Sequence, residues 1–118
     1  MMRQGDVVIV TFPYVSGSRS KNRPALVVQC DRNNGRLSNT IVAMITGNTR
    51  RAAIEPTQVL IDPATPDGLG SGLRAASAVK CENLFTIAQD DVLAKIGSLN
   101  SSSMRRVDAA LRAALELP

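Results

Sequence analysis

The stretch Gly5–Asp31, which reads GDVVIVTFPYVSGSRSKNRPALVVQCD, decides the fold. Two segments rich in Val and Ile, Asp6–Phe12 and Pro24–Gln29, predict buried β-strands. Between them, Tyr14–Arg23 contains serines, a glycine and three cations without apolar periodicity, which is typical of a flexible polar loop. Arg23 stands where this loop gives way to the second strand, and the proline after it fixes the backbone. The chain therefore begins as two strands with an arginine at the start of the second.

Downstream of this stretch, short apolar segments alternate with long connections. Three further segments are predicted as strands, the last of which holds either one strand or two, with a bend at Glu82-Asn83. A turn-rich connection is expected over Asp31–Asn39, and a Pro- and Gly-dense loop over Asp62–Gly72. A short helical turn is predicted from Asp90 to near Gly97. The three predicted strand segments are Thr40–Ile45, Thr57–Ile61 and Ser77–Thr86.

The C-terminal segment predicts an amphipathic helix. Apolar residues such as Val107 and Leu111 recur three and four residues apart, with charged residues between them. Asn100 or Ser101 is suited to the N-cap position. Short strands, long loops and one terminal helix indicate a mainly β fold, a small barrel with helical decoration. Residues 1–118 are predicted to form a single domain.

Composition limits the chemistry that this chain can perform. Apolar residues make up 44% of the chain but aromatic residues only 3%, so the core should be aliphatic. The chain has no histidine, which rules out histidine zinc sites, Ser-His and Cys-His pairs and two-histidine ribonuclease chemistry. Cys30 and Cys81 lie in apolar runs and are expected to be buried free thiols rather than a disulfide. No cofactor and no metal site are predicted.

The N-terminus and the hydropathy pattern predict where in the cell the protein resides. No apolar run approaches the length that spans a bilayer, so no membrane association is predicted. The first six residues turn polar where a signal peptide would need an apolar segment. The sequence predicts a soluble cytoplasmic protein.

Charge is distributed unevenly along the chain. The formal net charge is +4, yet the first 51 residues carry eight basic and two acidic side chains. Most of the cations are arginines, which suit bidentate phosphate contacts and stacking on bases. A basic half indicates a polyanionic partner, although charge alone is also compatible with an ordinary solvated basic surface.

A second landmark lies at the end of the third predicted strand, in Ile45-Thr46-Gly47-Asn48. Together, the Arg23-Pro24 pair and this strand-terminal Thr46 resemble the MazF/PemK toxins, which are ribosome-independent mRNA endoribonucleases of type II toxin–antitoxin systems. The resemblance extends from Gly5 to about Leu117. It implies a compact SH3-like β-barrel that forms a two-fold homodimer. It also implies an antitoxin partner whose acidic, partly disordered tail covers the basic groove.

The resemblance assigns catalysis to three positions of this chain. Arg23 and Thr46 match the family's arginine and its strand-end Thr or Ser. Glu82 falls where some relatives carry an acidic residue implicated in proton transfer, and it is equally well interpreted as an ordinary strand carboxylate. Two positions depart from the family pattern. Arg19 stands where many relatives have a glutamate, and Asn22 replaces a glycine, so a base in the first loop is in doubt.

The implied reaction needs little from the protein. The ribose 2′-OH of RNA attacks the adjacent phosphorus and leaves a 2′,3′-cyclic phosphate and a 5′-OH end, without a metal ion. The Arg23 guanidinium suits stabilisation of the crowded phosphorane, because it can bind two phosphate oxygens at once. Thr46 can donate a hydrogen bond to the same phosphate, and Gly47 allows a close approach of the backbone.

Substrate contacts are predicted in the two loops that flank Arg23 and Thr46. The substrate should be single-stranded, because sequence-specific cleavage requires accessible base edges. Stacking platforms are scarce, so Phe12, Tyr14 or an arginine plane would have to serve. The predicted contact residues are Phe12, Ser18, Arg19, Lys21, Asn48 and Arg50, with Ser77 and Asn83 as weaker candidates.

Two other functions compete with this prediction. A gyrase-poisoning toxin of the same fold relies on a C-terminal tail that contains Trp, and this chain has no Trp. A nucleic-acid-binding barrel without catalysis is supported equally by the basic half. The Arg23 and Thr46 pair favours the nuclease.

Overall fold

The computed structural model describes residues 1–13 and 20–118, with the backbone alone at residues 13 and 20. Tyr14, Ser18 and Arg19, three residues predicted to contact substrate or stack on it, lie outside the described residues. The elements are β1 Asp6–Pro13, β2 Ser20–Val27, α1 Asp31–Arg36, β3 Asn39–Thr46, β4 Gln58–Ile61, β5 Ser77–Ala88, a 3₁₀ turn Gln89–Asp91, β6 Ala94–Ser98 and α2 Ser101–Leu115.

The six strands form one antiparallel sheet in the order β4-β5-β3-β2-β1-β6, which curls into a half-barrel. Strand alternation divides the core between the two faces of this sheet, because successive side chains point to opposite sides. One face packs under α2, with Val7, Leu26 and Val107 in its core. The other face holds Val8, Val42 and their neighbours. The predicted mainly β fold with a C-terminal helix is confirmed.

The helix α2 begins where the sequence predicts it. Asn100 is the N-cap, and its side chain accepts a hydrogen bond of 2.8 Å from the Ser103 backbone N–H. The predicted bend in β5 is also confirmed. Ala43 of β3 pairs with Leu84 whereas Met44 pairs with Lys80, so residues 81–83 bulge out of the ladder. Because of this bulge, Glu82 and its two neighbours have no paired residue on β3.

Three local predictions are wrong. The polar loop ends earlier, because Ser20–Arg23 pairs with the end of β1 and belongs to β2. The connection after β2 contains the short helix α1 instead of turns alone. The helical turn from Asp90 stops after Asp91, and Ala94–Ser98 is a strand, β6. An antiparallel pairing with β1 and an ion pair of 3.1 Å between Lys95 and the buried Asp6 hold β6 in place.

Both edges of the sheet are covered. The loop before β5 lies along β6, where the Ser98 N–H donates to the Gly70 carbonyl at 3.0 Å. Gly72 has φ +76°, and a side chain there would collide with the Ile96 carbonyl, so only glycine fits this approach. On the opposite edge, Arg106 of α2 donates to the Leu60 carbonyl of β4 at 3.0 Å.

Among the residues that the structure describes, no helix has the length and the apolar character required to cross a membrane.

Candidate active site

Strand register brings the two principal predicted residues together. In the β2–β3 pair, Ala25 lies opposite Met44 and Val27 opposite Val42. This ladder ends at Ala25 and Met44, and Arg23 and Thr46 each lie two residues beyond it on their strands. Directly opposed residues lie on the same face, and residues two apart along a strand share a face, so both side chains belong to one face of the sheet. Arg23 is half-buried there and has an interaction partner in the folded chain.

A turn after β3 fixes the Thr46 hydroxyl. The Asn48 N–H donates to Thr46 Oγ1 at 3.2 Å, and the Arg50 N–H donates to Asn48 Oδ1 at 3.2 Å. Because this bond uses an acceptor site of the hydroxyl, the O–H hydrogen of Thr46 can be donated to another group. Gly47, the next residue, lines the groove on the opposite face of the sheet, where a side chain added to it would meet no atom within 4 Å.

An open cleft of about 160 Å³ lies on the β4–β5 side of Thr46. Lys80 and Gln58 reach it from opposed positions on β5 and β4. Lys80 forms neither a salt bridge nor a side-chain hydrogen bond within residues 1–13 and 20–118. The cleft is lined by Thr46, Asn48, Arg51, Gln58 and Lys80.

The positive charge of this face is only partly compensated. Arg51 forms an exposed salt bridge of 3.4 Å with Glu55, which in solvent contributes little and leaves the guanidinium available. Lys21 near the start of β2 and Arg50 in the turn after β3 are both exposed. The face that holds Arg23 and Thr46 therefore offers several cations to an anionic ligand.

Glu82 is connected to the cleft by a hydrogen bond with Gln58, which lines it. The Gln58 carboxamide donates through Nε2 to Glu82 Oε2 at 2.8 Å, and Glu82 is otherwise exposed. The residue before it, Cys81, is buried in the opposite core, and burial together with the Glu82 charge raises the pKa of this thiol to about 12. Cys81 is therefore protonated at neutral pH. Both cysteines are free thiols as predicted, but Cys30 is exposed rather than buried.

The structure does not bring the remaining predicted contact residues to the cleft. Phe12 is 5% exposed and packs against Phe85, with ring centroids 4.9 Å apart, so Phe85, at 39%, is the ring that reaches solvent. Asn83 is half-buried, with its amide nitrogen 3.9 Å from the Met44 sulfur. Ser77 points to the other face of the sheet, where its buried hydroxyl donates to the Ala75 carbonyl at 2.9 Å.

Sequence analysis missed four residues of this face. Gln58, Lys80 and Arg51 line the cleft, and Phe85 supplies the exposed ring. One signal was present for Lys80, since a charged residue interrupts the apolar run of β5 at a position whose side chain shares a face with Met44. Gln58 carried no such signal, because its pairing with Lys80 joins segments far apart in sequence.

A second, larger groove of about 640 Å³ lies on the other face, and its lining includes Ile9, Pro24, Leu73 and Ser77. Within the described part of the chain, no three His, Cys, Asp or Glu side chains are grouped to hold a metal ion.

Comparisons with known proteins cover nearly the whole chain. Residues 3–115 match the family model of the PemK-like, MazF-like toxins of type II toxin–antitoxin systems. Endoribonuclease MazF9 of Mycobacterium tuberculosis (strain H37Rv) is 31% identical over 121 residues, which cover 99% of this chain and 98% of the relative. Endoribonuclease EndoA of Bacillus subtilis (strain 168) is 33% identical over 118 residues, covering 99% and 97%.

Solved structures show the same likeness. The Mycobacterium tuberculosis toxin MazF-mt6 matches with a TM-score of 0.76 and 27% identity, over 96% of this chain and 98% of the other. A mycobacterial endoribonuclease in complex with its cognate antitoxin has a TM-score of 0.77 at 22% identity, over 100% and 98%, and this likeness shows the fold alone.

Proposed function

This chain belongs to the PemK-like, MazF-like toxins of type II toxin–antitoxin systems, and from that premise we propose that it is an endoribonuclease that cleaves single-stranded mRNA without a metal ion. The observation that carries the proposal is that Arg23 and Thr46 share one face of the sheet, with a cationic cleft beside Thr46. The charge of this face and the open cleft beside Thr46 support an RNA phosphate as the ligand. We propose a cytoplasmic location, because mRNA is translated there.

In this mechanism the 2′-oxygen forms a bond to phosphorus and the bond from phosphorus to the 5′-oxygen breaks. The 2′-OH loses its proton and the 5′-oxygen gains one, so the products are a 2′,3′-cyclic phosphate and a 5′-OH end. Arg23 stabilises the charge of the phosphorane through two parallel hydrogen bonds. Thr46 donates its O–H to a phosphate oxygen while the Asn48 N–H holds Oγ1 in place.

The group that accepts the 2′-OH proton is a separate question, because the chain has no histidine. Glu82 is predicted either as this base or as a strand carboxylate. Its contact with Gln58 supports a role near the cleft, whichever of the two holds.

The other predicted contacts hold the RNA backbone and bases on either side of the scissile phosphate. Because several residues contact the RNA backbone, RNA should still bind when one catalytic group is lost. We propose Lys21, Asn48 and Arg50 for this role on the described face, together with Ser18 and Arg19 of the first loop.

One experiment separates this enzyme from a barrel that binds nucleic acid without catalysis. The purified protein is incubated with a defined single-stranded RNA in the presence of EDTA, and the product ends are identified by mass. We expect cleavage at specific sites with cyclic phosphate and 5′-OH ends. Tight RNA binding with no cleavage would identify the non-catalytic barrel instead.

We also propose that the toxin is a homodimer. A small domain gains stability by burying further apolar surface, and large apolar side chains remain exposed on this chain. Light scattering should give a mass near twice 12.6 kDa. An active monomer at micromolar concentration would contradict this expectation. The exposed side chains include Ile54, Leu60, Leu69, Phe85 and Leu93.

The cognate antitoxin is proposed to inhibit by an acidic, disordered tail that lies across the cationic face. A disordered acidic segment can wrap such a surface, and its affinity should fall as salt rises. Competition binding should show that antitoxin and RNA exclude each other. A ternary complex with full nuclease activity would contradict this mode of inhibition.

A further inference from the structure

The cleft beside Thr46 contains a carboxamide whose orientation is fixed. Gln58 is only 9% exposed, and one N–H of its Nε2 points at Glu82 Oε2. The Glu82 oxygen is the acceptor of this hydrogen bond, so the amide nitrogen and not Oε1 faces Glu82. The side-chain oxygen of Gln58 is thereby turned away from Glu82.

The rest of the Gln58 carboxamide has no partner among the described residues. No hydrogen bond within the described ranges engages Oε1 or the second N–H. No side-chain nitrogen or oxygen of these ranges is both fully buried and without a partner, so Oε1 is at least partly accessible. Gln58 lines the cleft, and an acceptor beside a donor is the pattern with which Gln binds a base edge.

Lys80 supplies a cation at the same place. It lies directly opposite Gln58 across the β4–β5 ladder and opposite Met44 across the β3–β5 ladder. Thr46 is two residues beyond Met44 on the same face of β3. An ammonium group at this position can bind the phosphate next to the one that Thr46 contacts, because successive RNA phosphates follow the strand of nucleotides across the face.

The size of the cleft suits one base and not a larger ligand. Its volume of about 160 Å³ lies well below the roughly 300–1,000 Å³ of pockets that bind drug-sized molecules. Its lining is polar and cationic, which favours a nucleotide over an apolar group.

We propose that this cleft binds the nucleotide adjacent to the scissile phosphate, with Gln58 reading the edge of its unpaired base and Lys80 binding its phosphate. Glu82 is then a positioning residue that acts through Gln58. This inference rests on the proposed nuclease function and adds to it the residues that select the sequence.

The test measures single-turnover cleavage of a library of single-stranded RNA with randomised sequence around the cut, in EDTA. Wild-type protein should prefer one base at a position next to the cut. Gln58→Met keeps the length of the side chain but loses the amide, so it should reduce this preference by about 10-fold or more while other positions keep theirs. Thr86→Val, on the exposed part of β5, is the control and should keep the wild-type profile.

Two further variants separate the roles. Lys80→Met should slow cleavage of all sequences equally and reduce the slope of log affinity against log salt by about 0.7, as expected for one lost contact with a single strand. Glu82→Gln can present either end of its amide to Gln58, so it should relax the same base preference as Gln58→Met. If Gln58→Met does not fold, Gln58→Asn retains the amide but withdraws it from the cleft and should show the same loss.

The outcomes are distinguishable. If wild-type protein cleaves but Gln58→Met keeps the full base preference, the reading role of Gln58 is wrong and the nuclease function stands. If Glu82→Gln slows every sequence to the same extent without changing preference, Glu82 is the base and not a positioning residue. If wild-type protein cleaves no member of the library, the nuclease function and this inference fall together.

Discussion

Arg23→Ala is expected to lower single-turnover RNA cleavage by about 10³-fold or more and to abolish toxicity in a growing cell. The guanidinium lies on the same face as Thr46 and is the group that can bind two oxygens of the phosphorane. Arg23→Lys keeps the charge but loses the planar, two-pronged geometry, so we expect about 10²-fold impairment. Both rates are measured on one defined RNA in EDTA.

The matched control is an arginine outside the site. Arg32 is exposed on α1, beyond the far end of β2, and Arg32→Ala and Arg32→Lys should cleave at the wild-type rate. RNA affinity of the Arg23 variants should stay close to that of wild type, because other cations of the face bind the backbone. Wild-type cleavage by Arg23→Ala would show that the phosphorane is stabilised elsewhere.

Thr46→Val is expected to lower cleavage by about 10²-fold or more, with folding preserved. Valine has nearly the same shape and a strong preference for strands, so the end of β3 should remain intact. The substitution removes the O–H that is proposed to bind the phosphate and the acceptor for the Asn48 N–H. Single-turnover rates at saturating enzyme, with a melting curve for each variant, measure the effect.

Thr46→Ser separates the hydroxyl from the β-branched shape. It retains Oγ and should keep most of the activity, whereas Thr46→Val should not. Equal rates for Thr46→Val and wild type would remove Thr46 from the mechanism. A melting temperature far below wild type in Thr46→Val would assign the loss to the turn after β3 instead.

The sequence predicted the elements with strong local patterns. The β1 and β3 segments are continuous Val- and Ile-rich runs, and α2 has both an N-cap at Asn100 and a clear apolar stripe. The resemblance to MazF/PemK toxins, which the family match confirms, supplied Arg23 and Thr46 as a pair. Their meeting on one face depends on the β2–β3 register, which is a tertiary property.

Other features depended on contacts that no local pattern encodes. The strand β6 is short and contains Gly97, and it exists because β1 provides a ladder for it. Gln58 and Lys80 meet only after β4 and β5 pair. The position of Phe12 could have been anticipated, because Val8, Val10 and Phe12 alternate along β1 and therefore share a buried face.

The covered edges of the sheet determine how copies of this toxin can associate. In the β4–β5 ladder, the Thr57 carbonyl points toward β5 and accepts a hydrogen bond from the Cys81 N–H. Carbonyls alternate in direction along a strand, so the Leu60 carbonyl points away from β5, and there it accepts a hydrogen bond from Arg106. The Gly70 carbonyl in turn occupies the Ser98 N–H of β6. One backbone group on each edge that could recruit another strand is thereby engaged within the same chain. Strand-to-strand association between copies is consequently disfavoured at these two positions.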